Sequence, residues 1–205
     1  SNAGNLALTS ILLERGACIT ARTPKQDTPL TIAARSHRHG GDVIRLLLSR
    51  GAHIEECDEN GWTSLHHASR KGLPRIITLL IERGASISAR TDQQWTPLLV
   101  AAYYGPYIPV RSLLEQGAKI DATDNMHHTP LHKAVQGGHI DIIGWLVGRG
   151  AAVEARDMDG WTPLYHAVYN SKEEAIELLL SLGSDPGTHA DDGSTLLDAV
   201  GRAQF

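Results

Sequence analysis

A unit of 33 residues recurs along almost the whole chain, and no other feature restricts its fold so strongly. A Thr followed two positions later by Leu stands at Thr28, Thr63, Thr96, Thr129, Thr162 and Thr195, with separations of 35, 33, 33, 33 and 33. A Gly followed by Ala or Ser, at Gly16, Gly51, Gly84, Gly117, Gly150 and Gly183, keeps the same separations. Two independent markers in one register are not a chance pattern. A fixed period of this size means a stacked array in which each unit buries its apolar face against its neighbours. The functional question is therefore which face of the array acts, rather than which pocket.

The unit from Asp58 to Arg90 shows the local physics. Asp58-Glu59-Asn60-Gly61 is turn chemistry, with Gly61 free to take a positive φ. Thr63 suits a helix N-cap. In four units a Pro follows the anchor (Pro29, Pro97, Pro130, Pro163), at the first helical position, where its missing N–H loses no hydrogen bond. The short helix that follows turns Leu65 and Ala68 inward. Small residues recur on these first helices, at Ala33, Ala34, Ala101, Ala102, Ala134 and Ala167, and let adjacent ones pack closely. Gly72 ends the helix and Pro74 opens a second, whose Ile76, Ile77, Leu79, Leu80 and Ile81 form one broad apolar side. Gly84 stops it as a left-handed cap. The product is turn, short helix, reversal, longer helix, extended loop.

Thr129-Pro130-Leu131-His132-Lys133-Ala134, followed by Gly138-His139 and closed by Leu146 to Gly150-Ala151, resembles the ankyrin repeat. The resemblance runs over roughly residues 5–203. It implies an all-α fold: a right-handed ankyrin-type solenoid of helix-turn-helix repeats joined by β-hairpin-like loops. Residues 1–3 read as a tag remnant and 4–205 as one array. Within it, 4–22 is a half repeat, 23–57, 58–90, 91–123, 124–156 and 157–189 are full repeats, and 190–205 is a partial one. Residues 5–15 match a second helix with no first helix before it, and Thr195 to Arg202 opens a first helix with no partner after it. Arrays end in capping units with a polar outer face, so the chain is expected to be a piece of a longer protein.

Three departures from the pattern carry expectations. Two extra residues near Ser36 to Gly41 should lengthen a first helix or loop outward. Pro106 and Pro109 should make a second helix start late or bend. Gln26, Gln94 and His127 replace the turn glycine, so those turns should be strained or change type.

The resemblance places function on a concave groove made by first helices and turn tips. The residue before each anchor is Asp27, Trp62, Trp95, His128, Trp161 or Ser194, and the first helices end in Arg35, Arg70-Lys71, Tyr103-Tyr104, Gln136 and Tyr169-Asn170. Three of the four tryptophans and three of the five tyrosines thus share one face, and these are residue types that dominate binding energy. The partner-binding set expected is Arg35, Trp62, Arg70, Lys71, Arg90, Trp95, Tyr103, Tyr104, His127, His128, Trp161 and Tyr169. The bland reading of each Trp, as packing against the next turn, is compatible with this. Arg35, Arg38, Arg70, Lys71 and Arg90 make one half of the groove basic, which would steer an acidic segment. Glu173, Glu174 and Glu177 make the opposite back acidic.

Other roles find little support. Net charge is −4 at pH 7, so nothing global points to nucleic acid or an acidic membrane surface. No apolar run reaches spanning length. Two cysteines, Cys18 and Cys57, are no disulfide framework and favour a reducing, intracellular compartment, cytoplasmic or nuclear. The pattern contains no P-loop, nucleophile elbow or His-Glu-x-x-His. Of the 11 histidines, His66, His132 and His139 fall at framework positions, and His37 and His39 in the insertion. His127, His128 and His132 lack a Cys or carboxylate set at zinc-site spacing, so no metal and no cofactor is expected. The reading is a non-catalytic, monomeric module that binds a partner protein or extended peptide. Its rivals are the targeting arm of a larger enzyme or bacterial effector, and a purely architectural array.

Overall fold

The computed structural model describes residues 2–36 and 40–202. Its helices are α1 (Asn2–Glu14), α2 (Pro29–Ala33), α3 (Gly40–Ser49), α4 (Ser64–Arg70), α5 (Pro74–Glu82), α6 (Pro97–Tyr104), α7 (Tyr107–Glu115), α8 (Pro130–Gly137), α9 (Ile140–Gly148), α10 (Pro163–Tyr169), α11 (Glu173–Ser181) and α12 (Leu196–Arg202). The even-numbered helices pack in sequence as one row, α2 on α4 through to α12. The odd-numbered helices form a second row from α1 to α11, and each short helix also packs on the longer one after it. The chain is an all-α repeat solenoid of two helical layers.

The anchors act as their chemistry requires. The hydroxyls of Thr28, Thr96, Thr129 and Thr162 accept from the backbone N–H three residues on, at 3.2, 3.3, 3.4 and 3.2 Å. Four of these short helices open with Pro directly after the cap. At the other end of α5, Gly84 (φ +94°) donates to the Ile81 carbonyl and Ala85 to the Leu80 carbonyl, both at 2.9 Å. This is the paired closure of a Schellman cap. The anchor leucines Leu30, Leu65, Leu98, Leu131 and Leu164 are each 1 % exposed, and Ala68, Ala101, Ala134 and Ala167 are fully buried. Leu197, at the anchor position of α12, is 82 % exposed. Burial here comes from a neighbouring unit on each side, as in any linear stack.

The turns between units are short hairpins. Asp58 N–H donates to the Trp62 carbonyl at 3.1 Å, and the same closure recurs from Thr23 to Asp27, Thr91 to Trp95, Asp124 to His128, Asp157 to Trp161 and Ala190 to Ser194. Successive tips are joined by one further hydrogen bond each: Glu59 to Lys25, Asp92 to Asn60, Asn125 to Gln93, Met158 to Met126 and Asp191 to Asp159, at 3.0–3.3 Å. The tips thus form a continuous backbone ladder along one edge.

The departures resolve in specific ways. The inserted residues do not lengthen the first helix: α2 has only 5 residues and stops at Ala33. The insertion lies in the connection to α3, and His37, Arg38 and His39 fall outside the described residues. Pro106 and Pro109 do not delay α7. Tyr107 follows Thr96 by 11 positions, as Pro74 follows Thr63, Ile140 follows Thr129 and Glu173 follows Thr162. Pro109 is the third residue of α7, among the first four, whose N–H groups have no acceptor within the helix, so its ring removes no bond. Gln26, Gln94 and His127 keep φ values of +60°, +61° and +61°, against +75° at Gly61 and Gly160. The turn type is retained and the left-handed strain is carried. At the start of the chain, α1 begins at Asn2, earlier than the residue 5 expected.

Candidate functional site

The turn carboxylates organise the face made by turns and first helices. Asp58 Oδ1 accepts from the N–H groups of Asn60 and Trp62, both at 3.0 Å, and so shapes its own hairpin. Asp124 does the same with Met126 and His128, and Asp157 with Asp159 and Trp161, at 2.8–3.0 Å. The second oxygen of each then reaches a first-helix side chain nine positions on: His67 at 3.0 Å, Lys133 at 2.8 Å and His166 at 2.7 Å. In the units that begin at 23 and 91 a threonine takes over the turn role, Thr23 accepting from Asp27 N–H and Thr91 from Trp95 N–H, each at 3.1 Å.

These pairs lie in wells between units. At the amino-terminal end, Arg35 Nη2 donates to Asp27 and lies 3.7 Å from Asp58 Oδ2 and 3.0 Å from His67 Nε2. Burial, and then the Arg35 charge, push His67 down to about 4, so its ring is neutral at pH 7. This group forms the floor of a hollow of about 400 Å³ whose rim carries Lys25, Glu59, Asn60, Trp62, Arg70 and Lys71. Arg35 is therefore neutralised, and free positive charge at this end comes from Lys25, Arg70 and Lys71.

A second, more extended network sits nearer the other end. His128 Nδ1 lies 3.1 Å from Asp124 Oδ2 and its Nε2 lies 3.4 Å from Asp157 Oδ2. Lys133 and His166 complete it from α8 and α10. Burial opposes ionisation of Asp124 and Asp157, but hydrogen bonds from His128 with Lys133, and from His128 with His166, hold both carboxyls far below their usual range. Burial likewise disfavours the charged His128 ring, yet its two carboxylate partners outweigh that and raise its pKa. Burial lowers Lys133, with Asp124 acting against it.

The aromatic residues fall between the wells. Trp62 meets Tyr104 edge-on with ring centres 6.4 Å apart, and Tyr104 meets Tyr103 at 5.0 Å. The Arg70 guanidinium lies over Tyr104 at 4.7 Å and near Trp62 at 5.6 Å. Trp95 packs on Tyr103 at 5.5 Å, with the Lys133 ammonium 4.2 Å from its ring centre. Trp161 packs on the buried Tyr165 at 4.5 Å and on Tyr169 at 5.0 Å. All three tryptophans are half-buried, while Tyr104 and Tyr169 remain 39 % and 40 % exposed. The tryptophans brace the stack and hold the tyrosines that face outward.

The remaining expected residues divide. Lys71 is exposed at the end of α4, and His127 is exposed at a turn tip. Arg90 donates to the Gln94 carbonyl at 3.0 Å and to the Thr123 carbonyl of the next unit at 2.8 Å, so it ties turns together. Arg22 does the same with Gln26 and Cys57, and Arg156 reaches His189, one repeat position in every second unit. His66 and His132 bond the carbonyls of Trp95 and Trp161 in the following unit at 2.9 and 3.1 Å, and His139 bonds the Tyr103 carbonyl at 2.9 Å. Both cysteines are free thiols. Sequence reasoning missed Asp58, Asp124, Asp157, Lys133 and His166 as a set. The signal was available in the Asp-to-His/Lys spacing of nine that recurs in three units.

The sequence model of the family described as ankyrin repeats (3 copies) matches residues 1–91, 39–124, 87–157 and 109–190. No curated protein matches the chain. No helix among the described residues is long and apolar enough to cross a membrane.

Proposed function

The chain belongs to the ankyrin-repeat family, whose repeats generally mediate protein–protein interaction, and from that premise we propose that it is a non-catalytic module binding a partner protein or an extended peptide across its turn tips and first helices. The unit boundaries at residues 23, 58, 91, 124 and 157 belong to the same proposal.

The observation that carries this reading is Tyr104. The residue is 39 % exposed although its ring packs against Trp62, Tyr103 and Arg70. A large side chain ordered in advance loses little freedom on binding, and it combines apolar area with a hydroxyl for hydrogen bonding. Tyr169 on Trp161 repeats the arrangement further along. Trp62, Trp95, Tyr103, Tyr104, Trp161 and Tyr169 supply the anchors, and Arg70 and Lys71 beside the hollow supply polarity.

Cross-linking with mass spectrometry identifies the partner, and calorimetry with Tyr104→Ala and Tyr169→Ala then tests the face. Each substitution should weaken binding by about 30-fold if it removes a hot spot. Full affinity in the folded double variant would show that the partner binds elsewhere.

A further inference from the structure

Turn carboxylates in the wells between units face an arginine or lysine, with one exception among the described residues. At Asp27 and Asp58 the cation is the Arg35 guanidinium. At Asp124 it is the Lys133 ammonium, 2.8 Å away. Asp157 has neither. The side chains that meet its Oδ2 are the Nε2 atoms of His166 at 2.7 Å and His128 at 3.4 Å. His128 comes from the residue position that holds Trp62, Trp95 and Trp161 in three other units, so a ring with a ligating nitrogen stands where those units have an indole.

We propose that His128, Asp157 and His166 form a binding site for one divalent transition-metal ion, with zinc the best match, that clamps the Asp124–His128 hairpin to the next hairpin and to α10. The two imidazole nitrogens and the carboxylate oxygen all lie within 4.8 Å of one another, and an ion about 2 Å from each donor fits inside that span. The outer nitrogens are also provided for. His128 Nδ1 lies 3.1 Å from Asp124 Oδ2, and the Lys133 ammonium, itself 2.8 Å from that carboxylate, lies 3.2 Å from the same nitrogen. His166 Nδ1 lies 3.4 Å from the Gln136 amide, whose oxygen and nitrogen exchange places on a flip. A carboxylate or amide behind each ligating ring fixes its tautomer and orientation, the usual support for a metal-bound histidine. Two nitrogens and one carboxylate favour zinc and its neighbours over magnesium or calcium. The carboxylate was not visible at zinc-site spacing in the sequence because Asp157 and His166 reach His128 only across the stack.

The competing occupant is a proton, which would leave His128 an imidazolium donating to Asp124 and Asp157. Titration calorimetry of the chelator-stripped chain with zinc chloride, and separately with magnesium chloride, separates the two. The expected result is one zinc per chain, a higher Tm in excess zinc, no heat from magnesium, and an X-ray absorption spectrum with imidazole and oxygen ligands. His128→Trp installs the side chain of the equivalent turns and preserves the framework. It should weaken zinc binding at least about 100-fold, as should Asp157→Asn. Absence of zinc binding by the unsubstituted chain, sulfur in the metal's ligand shell, or undiminished zinc affinity in folded His128→Trp would each overturn the proposal.

Discussion

His66 Nε2 lies 2.9 Å from the carbonyl oxygen of Trp95 in the next unit, while its Nδ1 accepts from the backbone N–H of Thr63 at 3.2 Å. One neutral ring therefore caps its own helix and straps two units, and both contacts require the Nε2–H tautomer. His132 repeats the strap to Trp161, and Tyr165 substitutes for it with a hydroxyl contact to Ser194 at 2.8 Å. Leu99 stands at this position in α6 and is fully buried, so its side chain contributes apolar contact in place of a polar strap. Replacing His66 by Leu leaves the Thr63 N–H without its acceptor and removes the strap. Urea denaturation should register a loss of about 1–3 kcal/mol; a loss well below that range would show that packing alone holds the joint.

The same neutrality makes stability depend on pH. Burial pushes His66 and His67 down to about 4, with Arg35 adding to the effect on His67 and Asp27 and Asp58 opposing it. Between pH 4 and about 6.5, the ordinary histidine value, the unfolded chain binds protons that the folded chain does not. Stability is thus fully present above that window and falls as the pH drops through it, by about 1.4 kcal/mol per unit for each histidine. Chemical denaturation at pH 6.5 and pH 5 measures the slope. The variants His66→Asn and His67→Asn should flatten it relative to the unsubstituted chain, so contributions from other groups cancel in the comparison.

Non-glycine residues in left-handed backbone offer a gain. Gln94 has φ +61°, and Ser171 has φ +51° at the repeat position held by Gly72, Gly105 and Gly138. The left-handed conformation costs an L-residue about 1–2 kcal/mol, and glycine's greater unfolded freedom offsets about 0.5–1 kcal/mol of that. Gln94→Gly and Ser171→Gly should each stabilise the chain by up to about 1 kcal/mol, read as a rise in the denaturation midpoint at constant m. The reverse change at Gly61 is not equivalent. A Cβ there would lie 2.7 Å from Asp92 Oδ1 and 2.9 Å from Asp92 N, so Gly61→Ala should lower the midpoint.

The helical frame was legible in the sequence because its determinants are local. A Thr cap with Pro behind it, and a left-handed Gly after a helix, act within a few residues and repeat in phase. Pro109 was misread for the same reason: its effect depends on where the helix begins, and Tyr107 puts it in the tolerant first turn. The wells were not legible as sites. Asp58 and His67 are nine positions apart, but Arg35 and Asp27 reach them only when two units stack. Trp62, Trp95 and Trp161 were legible as residues of one face, yet how far Trp62 and Trp95 are covered depends on Tyr104 and Lys133, supplied by the next unit in the stack.

Arg70 and Arg90 looked alike in the sequence, and the structure predicts that they behave differently. Arg90, the last residue of its unit, donates to two carbonyls at opposite ends of the next one, and charged donors of this kind contribute about 1.5–3 kcal/mol when buried, less at the exposed position of Arg90. Arg90→Ala should therefore destabilise the chain by about 1 kcal/mol. It should also speed hydrogen exchange at Asn125 N–H, whose tip bond to the Gln93 carbonyl is 3.3 Å long. The Arg70 guanidinium lies over Tyr104 and near Trp62, an exposed contact of about 0.5–1 kcal/mol. Arg70→Ala should leave exchange at Asn125 unchanged while weakening capture of the partner. If Arg90→Ala left Asn125 protected and instead abolished binding, the two arginines would have to exchange roles.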